Sequence, residues 1–214
     1  AEAGLRASDL DAIFITHEHG DHIGCAVAVA RREGLPVWMS HGTYLAIGSP
    51  DPGSWLRIAA DSQPIACGEI EIRPFTVPHD AREPLQLVCT DGARRLGVLT
   101  DLGHATSHVL DQLAGCEALL LESNHDAALL EAGRYPLFLK RRVGGLWGHL
   151  SNAAASDIAR QVHHPGLRHV VAAHLSEQNN SPDLAREALA GGLGCAPGAI
   201  LVAAPTGSAD WLNV

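Results

Sequence analysis

The segment from Thr16 to His22 concentrates side chains that bind metal ions. It carries His17, His19, Asp21 and His22 in the pattern H-x-H-x-D-H. Two residues apart on an extended backbone, His17 and His19 point to the same side, whereas Asp21 and His22 follow a turn and can face a second point. Neutral imidazole and carboxylate groups are ligands of zinc, manganese and iron. The segment therefore predicts a metal site rather than a loop of solvated histidines.

Other metal-binding side chains stand where predicted strands end. Residues 12–15 form a short apolar run that is typical of a buried strand, and this run leads directly into the metal-binding segment. The same change from strand to polar residue recurs along the chain, at His17, His79, Asp101, His125 and His174. Loops that leave one edge of an α/β sheet can bring such side chains to a common site.

The remaining pattern predicts alternating strands and helices. Strands are expected over 37–39, 70–73, 85–90, 95–100, 118–121, 169–173, 199–204 and 210–213. Helices are expected over 25–32, 41–47, 107–113, 126–132, 136–142 and 152–162, and from 182 onward. Residues 48–64 read as a loop, and Asp91-Gly92 as a hairpin turn. The length and this alternation indicate one α/β (α+β) domain over 1–214.

The amino-acid composition disfavours several classes of protein. The net charge of −9 argues against a broadly basic nucleic-acid surface, although bound divalent metals would reverse the sign locally. No apolar run reaches the ~18 residues of a membrane span, and the first residues carry no secretory signal, so we expect no membrane association. The five cysteines lack a C-x-x-C motif and indicate reduced thiols in a cytoplasmic protein.

Two further features lie between residues 140 and 152. His149 stands between Gly148 and the predicted helix cap Ser151, where an imidazole can donate a proton or can simply belong to a capping loop. The run Lys140-Arg141-Arg142 contains the only lysine of the chain. It is either a solvated helix face or a rim that binds phosphate.

The motifs together resemble the metallo-β-lactamase superfamily. The segments T-D-L-G-H at 100–104, E-S-N-H-D at 122–126, G-H-L-S-N at 148–152 and H-L-S-E-Q-N-N at 174–180 are similar to its YycJ/WalJ-like branch, which is linked to 5′→3′ exonuclease action on DNA. Members of the branch carry about two further strands ahead of the first helix. The resemblance thus implies an αββα sandwich lacking its first amino-terminal strands, as expected for a fragment.

The resemblance also implies a role for each ligand. His17, His19 and His79 would hold the first of two divalent ions, Zn²⁺ or Mn²⁺; Asp21, His22 and His174 would hold the second, and Asp101 would bridge them. From the chemistry of its carboxylate, we also predict that Asp21 orients the attacking water and acts as a base while it binds metal. His149 matches the position that protonates the leaving group in related tRNA-processing enzymes.

The substrate contacts are predicted with alternatives. Lys140, Arg141 and Arg142 would contact phosphate. His125 would either touch substrate or, like Glu122, orient a ligand histidine by hydrogen bonding. Ser176, Asn179 and Asn180 would either bind phosphate or cap the following helix. These expectations concern side chains whose neighbours in space the sequence does not reveal.

The favoured function is a binuclear metal exonuclease that acts on DNA ends, as a monomer or a homodimer. An RNA-processing nuclease is an alternative within the same chemistry. A hydrolase of small esters, thioesters or lactones is a second alternative, and an inactive metal-binding protein is a third. The basic run and the G-H-L-S-N segment favour the nuclease, and the complete ligand set disfavours the inactive protein.

Overall fold

The computed structural model describes residues 4–204 and 212–214. The chain divides into two compact units. Unit 1 comprises Ala1–Thr76 and Ala81–Leu87, and unit 2 comprises Val77–Asp80 and Val88–Val214. The single domain over 1–214 stays a prediction. Among the described residues, no helix combines the length and apolar character needed to cross a membrane.

Unit 1 is built on a small parallel sheet. Its elements are the strands β1 (Ile13–Phe14), β2 (Val37–Ser40), β3 (Leu56–Ala59), β4 (Ile65–Cys67) and β5 (Ile70–Thr76), with the helices α1 (Gly20–Ile23), α2 (Ala26–Glu33) and α3 (His41–Ala46). The sheet has the order β1-β2-β3, and β4 pairs with β5 in antiparallel fashion. Strand β6 (Leu85–Thr90) begins in unit 1 and ends in unit 2.

The core of unit 1 explains why these residues form strands. On β2, Val37 and Met39 are fully buried and pack with Ile15 from the segment after β1. The intervening Trp38 packs on the other side, against a second cluster that contains Ile65. This alternation is the two-residue period of a strand with both faces covered. Each fully buried aliphatic side chain contributes about 1.5–3 kcal/mol.

Unit 2 contains a parallel sheet flanked by helices. Its elements are β7 (Arg95–Leu99), α4 (Ser107–Leu113), β8 (Ala118–Glu122), α5 (Ala127–Ala132), α6 (Leu137–Val143), α7 (Asn152–Val162), β9 (His169–Ala173), α8 (Pro182–Leu193) and β10 (Leu201–Val202). The strand order is β7-β8-β9-β10, and all three pairings are parallel. Strand β8 reads Ala-Leu-Leu-Leu-Glu and is largely buried, as expected for a parallel strand covered on both faces.

The register of this sheet positions the site. Leu99 of β7 lies opposite Leu121 of β8, which lies opposite Ala172 of β9. The three strands therefore end at the same edge, where Asp101 is the second residue after β7 and His174 is the first residue after β9. Helix starts near this edge are capped by short polar side chains; the Ser151 hydroxyl, for example, accepts the N–H of Ala154 at the start of α7.

The predicted elements agree with the structure except in detail. The segment 48–64, predicted as a loop, contains β3, which pairs with β2 from Val37↔Leu56 to Ser40↔Ala59. The strand predicted over 199–204 shortens to β10. Part of the strand predicted over 210–213 lies outside the described residues. The turn at Asp91-Gly92 is confirmed: Gly92 has a φ of +90°, and Asp91 Oδ1 accepts the N–H groups of Ala93 and Arg94.

Candidate metal centre

In unit 1, the three histidines of the H-x-H-x-D-H segment contact one another. His17 is fully buried, and its Nε2 lies 3.0 Å from Nδ1 of His19. The ring centroids of His17 and His22 are 4.2 Å apart. The hydroxyl of Thr16 lies 3.1 Å from Nδ1 of both His17 and His22. Thr16 thus orients two rings of the set. The sequence pattern alone does not predict this role.

The fourth polar residue of the segment lies on the short helix α1. His19 is the residue before this helix, and Gly24, with a φ of +42°, ends it. Asp21 is largely exposed on its first turn, and its Oδ2 lies 3.6 Å from Nε2 of His22. The turn predicted after His19 is therefore this helix start, on which Asp21 lies next to His22.

In unit 2, one carboxylate oxygen lies among three imidazoles. Oδ1 of Asp101 is 3.5 Å from Nδ1 of His149, 3.5 Å from Nδ1 of His174 and 3.7 Å from Nε2 of His79. Asp101 and His79 are almost fully buried, whereas His149 and His174 are partly accessible. The structure thus brings together four residues of unit 2 that the sequence placed at or near the site.

Glu122 is the organising residue of this group. Its side chain is fully buried. Oε1 lies 2.8 Å from Nδ1 of His149 and 3.0 Å from Nδ1 of His174. Oε2 accepts the backbone N–H groups of Leu102, at 2.8 Å, and of Leu150, at 3.2 Å. Because a carboxylate only accepts hydrogen bonds, it favours the tautomers with hydrogen on Nδ1. In these tautomers Nε2 of each ring carries the lone pair that can bind a metal ion or a proton.

The loops that carry the histidines are fixed by backbone hydrogen bonds. Nδ1 of His79 lies 3.0 Å from the carbonyl oxygen of Gly148, and His149 donates its N–H to Val143. His174 adopts a φ of +55°, in the left-handed region that side chains rarely occupy. Its carbonyl accepts from the side-chain amide of Asn124. Such local strain is characteristic of functional sites.

The environment changes the protonation of three histidines. Burial lowers the pKa of His79, against the opposing charge of Asp101. Burial also lowers the pKa of His125, against the charge of Glu122. Burial acts to lower the pKa of His149 as well, but the hydrogen bond and charge of Glu122, aided by Asp101, raise it above the ordinary value. His79 is thus favoured in the neutral form that binds metals, and His149 in the form that donates a proton.

The donor atoms of unit 2 suit a divalent cation. Asp101, Glu122, His149 and His174 each offer one ligand atom, and these four atoms lie within 4.8 Å of one another. The set combines imidazole nitrogen with carboxylate oxygen, which is the donor chemistry of zinc and manganese sites. In unit 1, the paired ring nitrogens of His17 and His19 offer the same chemistry. The residues present therefore fit the metal ions that the sequence predicted.

The predicted substrate contacts are placed as follows. His125 is buried, and its backbone pairs with Ser151, so it lies within the framework behind the loops. The amide of Asn180 donates to the Ser123 carbonyl and to the Asn152 side chain. These positions favour the structural alternatives for His125 and Asn180.

The other candidates lie nearer to the surface. The Ser176 hydroxyl accepts the N–H of Asn179 and stabilises a local turn. Arg142 forms an ion pair with Asp80, with Nε 2.6 Å from Oδ2. Lys140 donates to the Glu131 carbonyl, and Arg141 is exposed. The basic run is therefore partly tied to neighbouring segments and partly available.

Comparison with known proteins agrees with this geometry. Residues 2–175 match a family model described as a β-lactamase superfamily domain. The chain is 35% identical to exodeoxyribonuclease YycJ of Bacillus anthracis over 190 residues, which is 86% of this chain and 71% of that protein. It is 31% identical to exodeoxyribonuclease WalJ of Streptococcus pneumoniae serotype 2 over 191 residues, again 86% of this chain and 71% of that protein.

The fold has a counterpart among solved structures. The metallo-β-lactamase fold protein YhfI of Bacillus subtilis superposes with a TM-score of 0.73 at 18% identity, covering 96% of this chain and 79% of that protein. At this identity, the likeness concerns the fold alone. The predicted mixed α/β metallo-β-lactamase fold is confirmed.

Proposed function

Because the chain belongs to the metallo-β-lactamase superfamily and to its YycJ/WalJ-like branch, we propose that it is a 5′→3′ exonuclease that acts on DNA ends. Metal-dependent hydrolysis is the chemistry of this family, and divalent metal ions are its cofactors. The DNA substrate is supported by the names of the two relatives. The polarity and the choice of Mn²⁺ or Zn²⁺ are parts of the proposal.

We propose the ligand assignment that the sequence predicted. It comprises His17, His19 and His79 for one ion, Asp21, His22 and His174 for the other, and Asp101 as the bridging carboxylate. When bound, two divalent ions would supply a hydroxide nucleophile at neutral pH and neutralise the charge that develops on the phosphate. The observation that carries the proposal is the convergence of His79 and His174 on Asp101 in unit 2, with Oδ1 of Asp101 3.7 Å from Nε2 of His79 and 3.5 Å from Nδ1 of His174.

Two residues of the chain would move protons. Asp21 would accept a hydrogen bond from the attacking water and hold it in line with the phosphorus. His149 would donate a proton to the departing 3′ oxygen, because Glu122 holds hydrogen on its Nδ1 and raises its pKa. Glu122 would thereby position the proton donor without touching the substrate.

The proposed substrate also suggests where the protein acts. DNA is a cytoplasmic substrate in bacteria, the source of both relatives. The five cysteines are free thiols, which agrees with a reducing compartment. We propose a cytoplasmic location; a homodimer stays a prediction.

The test compares substrates and variants. Purified protein with added Mn²⁺ or Zn²⁺ is given a 5′-phosphorylated DNA duplex, the matching RNA, a thioester and a lactone, and metal content is measured in parallel. We expect mononucleotide release from the DNA 5′ end. His149→Ala should lower turnover by roughly 10²- to 10⁴-fold with metal content retained, whereas the exposed His163→Ala serves as a control. Hydrolysis of the thioester or lactone alone would refute the nuclease assignment.

A further inference from the structure

Exposed apolar side chains precede the proposed acid in the chain. Phe138 on α6 is 73% exposed, and Trp147 on the following loop is 61% exposed. Leu137 and Leu146 beside them are 59% and 68% exposed. These four residues are the most exposed large hydrophobic side chains among residues 4–204 and 212–214. Exposed apolar side chains that occur together, as in these two adjacent pairs, mark binding surfaces, whereas single scattered ones need no explanation.

Cationic side chains accompany these rings. Lys140 and Arg141 lie on the same helix as Phe138, and Arg141 is one turn from it, so the two side chains are neighbours on the helix surface. In a chain of net charge −9, this run is a local reversal of sign. Arg142 is engaged with the Asp80 carboxylate, whereas Lys140 donates to a neutral backbone carbonyl and Arg141 is exposed. Lys140 and Arg141 therefore keep their positive charge for an anionic ligand.

The loop that carries Trp147 is held against the loops of the site. The carbonyl of Leu146 lies 2.8 Å from Nδ1 of His104 and packs on Gly103, where a Cβ would overlap it. The carbonyl of Gly148 contacts Nδ1 of His79. Trp147 therefore stands on a fixed backbone, two residues before His149. A fixed aromatic ring loses little entropy when a ligand stacks on it.

We propose that Phe138, Trp147, Lys140 and Arg141 form a binding site for an unpaired nucleic-acid strand, in which the two rings stack on bases and the two cations contact phosphates. The inference rests on the proposed nuclease function and adds what the enzyme recognises. Stacking requires bases that are exposed, because in a duplex their faces are already covered. The site thus selects frayed or single-stranded ends over the interior of a duplex.

The test separates base stacking from charge. Binding of two fluorescent strands of equal length is measured by anisotropy in the presence of a chelator, so that no cleavage occurs. One strand is oligothymidylate, and the other is the same sugar-phosphate chain without bases. We expect Trp147→Ala to weaken binding of the thymidylate strand roughly tenfold and to leave the abasic strand unchanged. Phe138→Ala should act in the same direction, and Trp147→Phe should restore most of the affinity.

Two further variants serve as controls. Leu146→Ala removes apolar surface from the same loop without removing a ring, and it should leave the preference for bases intact. Replacing Lys140 and Arg141 with Ala should weaken both strands and reduce the dependence of log Kd on log salt by about one unit per residue.

The outcomes distinguish this site from the proposed function. If the wild type cleaves 5′-phosphorylated DNA but binds both strands equally, the stacking site is refuted and the nuclease stands. If the wild type binds neither strand and cleaves no nucleic acid, both the stacking site and the nuclease function are refuted. If Trp147→Ala changes only self-association, measured by sedimentation velocity, the surface is an interface between copies and the stacking site is refuted.

Discussion

The exchange Glu122→Gln tests whether one buried carboxylate organises the site of unit 2. In the wild type, Oε2 accepts from the N–H groups of Leu102 and Leu150, while Oε1 faces Nδ1 of His149 and of His174. Glutamine has the same shape but only one oxygen. If that oxygen stays with the two N–H groups, the amide NH₂ faces two ring nitrogens that must then act as acceptors. Both histidines would be forced to carry hydrogen on Nε2.

The loss of stability follows from the two backbone N–H contacts, which the single glutamine oxygen keeps. Exchanging a charged for a neutral acceptor costs about 1 kcal/mol per hydrogen bond, so Glu122→Gln should lower the free energy of unfolding of the metal-free protein by about 2 kcal/mol. Glu122→Ala removes both acceptors and leaves two buried N–H groups unsatisfied, at about 1–3 kcal/mol each. It should therefore be the more destabilised variant, although it imposes no incorrect hydrogen bond on the histidines.

Function should suffer more from glutamine than stability does. Loss of the correct tautomer of His174 should weaken metal binding roughly 10- to 100-fold, and loss of the proton on Nδ1 of His149 should lower turnover by at least roughly 100-fold at saturating metal. Urea denaturation, calorimetric metal titration and nucleotide release measure the three quantities. Glu117→Gln is the matched control, because Glu117 also accepts a backbone N–H, from Arg95, at the other end of β8.

The reasoning would be refuted if Glu122→Gln kept wild-type metal affinity and turnover. Reduced stability with unchanged chemistry would show that the carboxylate only supports the backbone. The Glu117 variant should match the wild type in metal affinity and turnover, so any shared loss would point to a general effect of destabilising β8.

Three further predictions concern other groups of unit 2. Burial raises the pKa of the Cys116 thiol to about 11 from its ordinary 9.0. The contribution of the buried neutral thiol to stability is complete below pH 9 and disappears as the pH rises to about 11, so the free energy of unfolding of the metal-free protein should fall by on the order of 2–3 kcal/mol across this window. An equal fall in Cys116→Ala, measured by urea denaturation, would contradict the assignment. Gly103→Ala should destabilise the protein by about 1–3 kcal/mol and lower turnover, because the new Cβ overlaps the Leu146 carbonyl. Gly198→Ala is the control: its new Cβ meets no atom within 4 Å, so this variant should melt at the same temperature as the wild type. Ser151→Ala removes the cap of α7 and should cost about 1 kcal/mol; unchanged thermal unfolding would mean that another group replaces the cap.

The sequence predicts the fold and the metal-binding residue types because both depend on local patterns. The apolar run of β8 and the polar residues after β7 and β9 are visible at fixed spacing, and each occupies the expected position. Strand β3 was missed because only one of its residues, Ala59, is buried and because it lies in a segment rich in turn formers. Its structure comes from parallel pairing with β2, a tertiary contact that overrides local preference.

The role of Glu122 could not be assigned from the sequence for a different reason. Its partners are 20 to 52 residues away along the chain, and only the sheet register brings them together. The sequence left the role of Glu122 open and gave equal weight to two roles for His125, a substrate contact or, as for Glu122, the orientation of a ligand histidine. The structure separates them: the Glu122 carboxylate reaches two histidines of the site, whereas His125 is buried and pairs through its backbone with Ser151. Exposure of Phe138 and Trp147 is likewise a property of packing, which spacing does not encode.

The register of unit 2 links its stability to its chemistry. Glu122, the last residue of β8, lies opposite Ala173 of β9, and His174 follows that residue directly. A slip of one residue would turn the Glu122 side chain to the opposite face of the sheet and break its contacts with His149 and His174. The same slip would leave the N–H groups of Leu102 and Leu150 unsatisfied. The buried carboxylate therefore selects the one register in which the imidazoles meet, so the contacts that fix the strands also fix the protonation of the site.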